Sequence, residues 1–417
     1  MSDTTSEEKK SRRPVDGAFR QQRLKAWQPV LTPRTVLPTF FIVGILFMPI
    51  GGLLYWSSGK VNEIMLDYST CGLYDEPIYM DDSKHSFQFS TSFDASTLTA
   101  PIFRYENVSD FLDADWKNPN QLTIKRCVID FSVPETMTGP VFMYYRLTNF
   151  YQNHRQYIKN YDAGQLGGEI VNSVTLNTNC GPIDVNPDSD LVVYPCGLIA
   201  NSMFNDTASD LTSLTSSDTY TFQRTGIAWP TDKMKYKPTT YPTADIVPPP
   251  NWASRYPDGK YTNEYPPPNL ETMERFMVWM HTAALPDFRK IWARNDQDTL
   301  NVGRWRVSID MSKFFFLLYN ERDTILTCTC DKDFDTRMYG GQKWLVLSTT
   351  SPLGGRNPYL GIAYMAIGAI SIFLGLVFSL RHCIKPRKLG DQSYLSWNQP
   401  GGGLPVNKRS KKVLHDN

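Results

Sequence analysis

The sequence predicts a membrane protein in which two transmembrane α-helices flank a β-rich, antiparallel sandwich-like domain with long loops and a few short helices. Three observations support this fold class. Two uncharged apolar runs lie near the ends of the 417-residue chain. The stretch between them, roughly 300 residues long, is polar and contains alternating segments typical of β-strands. That stretch also contains all but one of the seven cysteines.

The first apolar run, Val36–Trp56, has about 21 residues without a charge, which is enough to cross a bilayer. A cleaved signal peptide is the alternative interpretation. Signal peptides start near the N-terminus and have a shorter apolar core that ends at small residues. This run follows a charged leader and ends in Tyr55 and Trp56. We therefore assign residues 1–35 to an N-terminal tail and 36–56 to a transmembrane helix.

The second apolar run, residues 358–380, is uncharged and about 23 residues long, so it predicts the second transmembrane helix. Small residues recur along it at Gly361, Gly368, Ser371 and Gly375. Small side chains let another helix approach closely in lipid. We predict that these four residues pack against a partner, and packing of the two spans on each other is the alternative.

Basic residues flank the two spans on their outer sides. The positive-inside rule therefore places residues 1–35 and 381–417 in the cytoplasm and residues 57–357 in the lumen or outside the cell. The basic residues are Lys9, Lys10, Arg12, Arg13, Arg20, Arg23, Lys25 and Arg34 before the first span, and Arg381, Lys385, Arg387, Lys388, Lys408, Arg409, Lys411 and Lys412 after the second.

Charge and composition exclude some functions. The formal net charge is +1, which gives no overall attraction to nucleic acid, and we expect no nucleic-acid partner. Transporters and pumps place charged groups inside the membrane. Neither span contains one, so we do not expect the chain to move a polar substrate by itself.

The sequence of the central domain predicts mostly strands and loops. Residues Asn269–Arg294 have helical spacing, and the proline-rich stretch Lys235–Pro268 predicts an extended loop. Segments rich in β-branched and aromatic residues predict strands. These segments are Leu122–Val133, Gly139–Leu147, Trp305–Ile309 and Lys343–Thr350.

An even number of cysteines in an oxidising compartment favours disulfides. Zinc binding is the alternative, but the sequence has no Cys-x-x-Cys pair. Two glycosylation acceptors, Asn107 and Asn205, begin Asn-x-Ser and Asn-x-Thr triplets in the same domain. The six cysteines are Cys71, Cys127, Cys180, Cys196, Cys328 and Cys330.

Catalytic motifs are absent from the sequence. It contains no phosphate-binding Gly-x-x-x-x-Gly-Lys loop, no Gly-x-Ser-x-Gly elbow, no His-Glu-x-x-His helix and no Asp-Lys-Thr-Gly phosphorylation sequence. We predict no catalytic residue, no metal site and no cofactor. Carboxylate pairs such as Asp81 with Asp82, or Asp113 with Asp115, keep a glycosidase as an alternative.

Several segments together resemble the CDC50/LEM3 family, the β-subunits of P4-ATPase phospholipid flippases, and the resemblance is closest to its fungal members. The Asn-Ser-Met-Phe-Asn-Asp-Thr motif is the most specific match. The segments are Phe19–Pro38, Tyr144–Tyr157, Tyr194–Thr207, Phe276–Lys290, Gly354–Gly361 and Leu395–Asn398.

This resemblance implies a non-catalytic accessory subunit that forms a heterodimer with a P4-ATPase α-subunit and contacts membrane lipid. The α-subunit moves phospholipid to the cytoplasmic leaflet and needs the accessory chain for folding, export from the endoplasmic reticulum and transport. The expected location is the endoplasmic reticulum, Golgi, endosome or plasma membrane. A membrane-anchored lumenal glycosidase-like enzyme and a cell-surface receptor module are the alternatives.

The resemblance also implies site residues. Cys71 is expected to pair with Cys127, and Cys180 with Cys196, while Asn205 matches a glycosylated asparagine of the family. One departure lies at residues 312–332, an atypical insertion that contains Cys328 and Cys330. A real hairpin extension and an unspliced intron retained in the gene model are both consistent with it.

Overall fold

A computed structural model describes residues 17–20, 22–24, 32–90, 98–112, 118–311, 317–319, 325–327, 336–351 and 354–386. The chain forms two compact units. One contains residues up to Leu53 and from Tyr359 onwards, and the other runs from Leu54 to Pro358. We call them the helix pair and the central domain.

Eight helices lie in the described part of the chain, and two of them are long. They are α1 (Pro33–Gly59), α2 (Arg155–Ile158), α3 (Ala163–Leu166), α4 (Ser173–Cys180), α5 (Leu198–Asn201), α6 (Pro230–Lys233), α7 (Glu274–Met280) and α8 (Pro358–Ile384).

Strands make up most of the regular structure of the central domain. They are β1 (Glu63–Asp67), β2 (Ile78–Tyr79), β3 (His85–Gln88), β4 (Ile102–Val108), β5 (Ile124–Val133), β6 (Val141–Leu147), β7 (Val192–Val193), β8 (Thr207–Ala208), β9 (Leu211–Ser213), β10 (Thr219–Tyr220), β11 (Ile246–Val247), β12 (Phe288–Asn295), β13 (Gly303–Met311), β14 (Leu317–Tyr319), β15 (Ile325–Thr327) and β16 (Lys343–Thr349).

The long helices α1 and α8 each contain 27 residues and are long and apolar enough to cross a membrane. Both extend a few residues beyond the predicted apolar runs, because helical hydrogen bonding continues into the polar flanks of a span. Together with the antiparallel sheets between them, they confirm the predicted fold class.

Two antiparallel sheets form the frame of the central domain. The five-stranded sheet has the order β12-β6-β16-β1-β3, and the seven-stranded sheet has the order β10-β9-β13-β5-β4-β2, with β8 added to β13. Burial alternates along β6, where Val141 and Met143 are buried and Phe142 and Tyr144 are half-buried. One face of this sheet therefore points into the core. One hydrophobic core receives side chains from both sheets, as in a sandwich.

The predicted helix over Asn269–Arg294 is correct only for α7. The residue before a proline is disfavoured in a helix, and Leu285-Pro286 separates α7 from the strand β12. Along β12 the side chains of Phe288, Lys290 and Trp292 are buried while Arg289 is exposed. This period of two is the pattern of a strand.

The atypical insertion contains the short antiparallel pair β14 and β15, in which Leu317 opposes Thr327. Cys328 and Cys330 lie outside the described residues. The predicted loop over residues 235–268 contains short 3-10 turns and β11, which pairs in parallel with β7.

Candidate partner-binding surfaces

The helix pair is held by close contact at glycines. A Cβ atom on Gly51 would lie 2.7 Å from the backbone nitrogen of Met365, and one on Gly368 would lie 3.0 Å from the backbone nitrogen of Met48. Aromatic rings pack beside this seam, with the centroids of Phe47 and Tyr364 5.1 Å apart. Small residues thus allow α1 and α8 to approach closely along their whole shared face.

The predicted partner-packing stripe is buried in this seam. Gly361, Gly368, Ser371 and Gly375 are the buried residues of α8, and α1 of the same chain covers the three glycines. Of the two packings considered, the structure therefore contains the intramolecular one. Packing of these four residues against a partner stays a prediction. Other faces of the two helices carry exposed apolar side chains such as Ile45 and Phe373.

Two disulfides lie in the central domain. Cys71, in the turn after β1, is bonded to Cys127 of β5, and Cys180, at the end of α4, is bonded to Cys196. These are the pairs that the family resemblance implied. All four residues are buried. They close loops with sequence separations of 56 and 16 residues, which restricts the unfolded chain.

The two glycosylation acceptors differ in exposure. Asn107 is exposed near the end of β4, whereas only 7 % of the surface of Asn205 is exposed. A sugar on Asn107 would extend directly into solvent. Glycosylation of either asparagine stays a prediction.

A buried ion pair anchors the segment that follows Asn205. Lys343 Nζ of β16 lies 2.9 Å from Asp206 Oδ2, and the two side chains are 2 % and 0 % exposed. The Tyr68 hydroxyl donates a 3.1 Å hydrogen bond to the same carboxylate. Burial, together with the nearby Asp206 carboxylate, raises the pKa of Tyr68 well above its usual value. The network ties the Asn-Asp-Thr triplet to β16 and to Tyr68, the residue directly after β1.

Glu274 anchors a second segment. At the N-terminus of α7, its carboxylate accepts hydrogen bonds from the backbone N–H groups of Gly226, Ile227 and Ala228 and from Lys233 Nζ. Burial alone would raise the pKa of Glu274, but these donors outweigh it and the pKa is lowered. The carboxylate also complements the positive end of the helix dipole.

Lys290 anchors the other end of α7. Its Nζ donates to the carbonyl oxygens of Val278, Trp279 and His281 at 3.1, 2.7 and 2.8 Å. It also lies 4.9 Å from the centroid of the Trp279 ring. The amine therefore satisfies carbonyls that the end of a helix leaves without partners. Burial lowers the pKa of Lys290 to about 7.

The described residues contain no group of three or more histidine, cysteine or acidic side chains that could hold a metal ion. His85 contacts the carbonyl oxygen of Asp81. The His281 ring packs at a tilt against Trp229, and its Nδ1 lies 3.9 Å from Asp232 Oδ2. Asp113 and Asp115 lie outside the described residues. The buried charged groups Asp206, Glu274, Lys290 and Lys343 all have hydrogen-bonding partners within the central domain.

Two apolar helices and a disulfide-bonded, β-rich domain define a class of two-helix membrane protein. The model of the LEM3 (ligand-effect modulator 3) family / CDC50 family matches residues 54–388, and the chain belongs to this family.

The chain is similar to named members of the family along most of its length. It is 37 % identical to the phospholipid-transporting ATPase accessory subunit CDC50 of Chaetomium thermophilum, covering 93 % of this chain and 92 % of the relative. It is 35 % identical to the phospholipid-transporting ATPase accessory subunit LEM3 of Saccharomyces cerevisiae, covering 93 % and 88 %. It is 37 % identical to cell cycle control protein 50A of Bos taurus, covering 88 % of each.

Proposed function

We propose that this protein is the non-catalytic accessory β-subunit of a phospholipid-transporting P4-ATPase. The observation that carries this proposal is the similarity over about nine-tenths of the chain to proteins named as accessory subunits of such ATPases. The partner is the α-subunit, which hydrolyses ATP and moves phospholipid. This role requires no cofactor and no nucleic acid, and it leaves the glycosidase and receptor alternatives without support from the relatives.

The physical basis of the role is a rigid body attached to the membrane by two helices. The outward faces of α1 and α8 carry exposed apolar side chains, which suit contact with lipid and with helices of the ATPase. Two disulfides and the buried Asp206–Lys343 pair connect distant segments of the central domain and constrain it. Such a body stabilises a partner's loops at a low entropic cost, because it does not need to become ordered on binding. We infer that this support promotes folding of the ATPase, its export from the endoplasmic reticulum and its transport cycle.

The proposed topology places both termini in the cytoplasm and the central domain in the lumen or outside the cell. The basic residues that flank both spans support it through the positive-inside rule. The proposed route runs from the endoplasmic reticulum to the Golgi, endosome or plasma membrane. Protease treatment of sealed microsomes should remove tags from both termini and spare the central domain. Tags that resist the protease until detergent is added would contradict this topology.

Purification of the affinity-tagged chain in a mild detergent tests the proposed function. We expect an ATPase of the P4 class to be recovered with the chain in a 1:1 ratio, as measured by mass spectrometry of the intact complex. A single-span membrane protein with an unrelated tagged domain is the matched control. Recovery of the chain alone from membranes that contain the ATPases would contradict the proposal.

A further inference from the structure

The central domain has a base, where it continues into the two apolar helices. The compact unit of this domain starts at Leu54 and ends at Pro358, so it includes the last turn of α1 and the first residue of α8. Because both helices are apolar enough to cross a membrane, residues at these two helix ends lie at the surface of the bilayer. We call residues 54–63 and 354–358 the base.

Hydrogen bonds hold the two halves of the base together. The backbone N–H of Asn357 donates to Ser58 Oγ at 2.9 Å, and Arg356 Nη1 donates to the carbonyl oxygen of Val61 at 3.1 Å. Ser58 is buried, with 6 % of its surface exposed. The two segments, which are far apart in the sequence, therefore form one ordered surface.

Aromatic side chains of the base are exposed at the end of α1. The exposed fractions of Tyr55 and Trp56 are 50 % and 62 %, and tyrosine and tryptophan are enriched at membrane–water interfaces. Lys60 is exposed, and its Nζ lies 5.6 Å from the centroid of the Trp56 ring. The ammonium group is therefore held beside a ring that favours the level of the lipid headgroups.

The base has an excess of positive charge. Its only acidic residue, Glu63, is 2.7 Å from Nη1 of Arg289 in β12. A Cβ atom on Gly355 would lie 2.7 Å from Nη2 of the same arginine, so the chain that leads into α8 packs on this ion pair. Among the residues that the structure describes, neither Lys60 nor Arg356 forms an ion pair with a carboxylate. Two cations are therefore left to attract an anion.

We propose that the base binds phospholipid headgroups of the bilayer, with Lys60 and Arg356 contacting the headgroup phosphate and Trp56 packing beside it. Lysine and arginine form strong, charge-assisted hydrogen bonds with phosphate. Because the two halves of the base are already joined, little order has to be created on binding. The proposed topology places these headgroups in the non-cytoplasmic leaflet. Headgroup binding is separate from the accessory role, since it requires only this chain.

Photocrosslinking in lipid nanodiscs tests this proposal with the full-length chain. The probe is phosphatidylethanolamine with a photoreactive diazirine on its headgroup, diluted in phosphatidylcholine. Lys60→Gln with Arg356→Gln removes both charges and keeps side chains that can donate hydrogen bonds. We expect the yield of adducts on the base to fall at least about tenfold in this double variant, because each basic residue near anionic lipid strengthens binding. Mass spectrometry after digestion at residues other than lysine and arginine measures the yield.

Two further variants separate charge from folding. Lys60→Arg keeps the charge and should retain wild-type labelling, whereas Lys60→Gln alone leaves the Arg356 hydrogen bond in place and should still reduce labelling severalfold. Arg155→Gln with Lys159→Gln is the matched control, because both side chains are exposed and lie outside the base. This control should be labelled as strongly as the wild type. All variants should have the melting temperature of the wild type.

Competition identifies the ligand. Unlabelled phosphatidylglycerol should suppress labelling of the base, whereas diacylglycerol, which lacks the phosphate, should not. Equal labelling of the base in the wild type and the double variant would overturn the proposal, as would suppression by millimolar inorganic phosphate, which would assign the cations to a free anion. The double variant should still recover the ATPase in the purification described above, so loss of headgroup binding and failure of the proposed function are distinguishable.

Discussion

Charged residues at inward-facing strand positions are the strongest residue-scale feature of this molecule. Lys290 shares a face of β12 with Phe288 and Trp292, and Lys343 shares a face of β16 with Leu345 and Leu347. The sequence placed neither lysine inside the domain: Lys290 fell within the predicted helix Asn269–Arg294, and β16 is buried at every position, so no alternation of burial distinguishes Lys343. Their partners were not predictable: Asp206 is 137 residues from Lys343 along the chain, and Lys290 binds backbone carbonyls, which any sequence provides.

Replacement of Lys343 by methionine should strongly destabilise the central domain. The Asp206 carboxylate would remain buried without its ammonium partner, and breaking a buried pair in this way costs about 3–5 kcal/mol. Thermal unfolding of the purified chain measures the effect. The double variant Asp206→Asn with Lys343→Met removes both charges and keeps the Asn-x-Thr triplet, so its melting temperature should lie above that of Lys343→Met. A double variant that is less stable than both single variants would contradict the account.

Lys290 should make stability depend on pH. Its pKa falls from an ordinary value of 10.5 to about 7 in the folded chain, so between these values the unfolded chain binds more protons. Stability contributed by this group therefore rises with pH, by about 2–3 kcal/mol from pH 6 to pH 9. Lys290→Met lacks this contribution, so the difference in unfolding free energy between wild type and variant should grow with pH. If the free energies of unfolding of the two proteins changed in parallel with pH, Lys290 would keep its proton throughout this range.

At the scale of elements, the two spans were predictable because length and the absence of charge are properties of the sequence alone. The main strands were also predictable from their β-branched and aromatic residues. Burial alternates along β6, whereas the central strand β16 is buried at every position. The helix over residues 269–294 was overpredicted, because spacing by three and four persists by chance into a segment whose burial has a period of two. The sequence did not determine which helix packs on the small residues of α8, since small side chains allow any helix to approach closely.

The seam of the helix pair gives a prediction with a built-in control. Gly51→Leu would force atoms against the backbone of Met365, whereas a Cβ atom on the neighbouring Gly52 would meet nothing within 4 Å. Gly51→Leu should therefore reduce the yield of folded chain in detergent severalfold and lower its melting temperature, while Gly52→Leu should leave both unchanged. Equal behaviour of the two variants would mean that α1 and α8 do not pack through this face.

At the scale of the whole molecule, sequence motifs indicated the function more directly than the arrangement of side chains in the structure did. The motifs around Tyr144–Tyr157 and Tyr194–Thr207 identified the family, and the structure shows why such segments are distinctive. They supply buried groups such as Tyr145, Gln152, Tyr194 and Asp206 that connect separate parts of the domain.

The most direct test of the central claim is ATP-dependent translocation of fluorescent phospholipid in proteoliposomes. It compares vesicles that contain the ATPase expressed alone, this chain alone, or the two expressed together. If the chain is a non-catalytic accessory subunit, only the vesicles that contain both should move lipid, and the chain alone should hydrolyse no ATP. Full translocation by the ATPase expressed without the chain would contradict the claim.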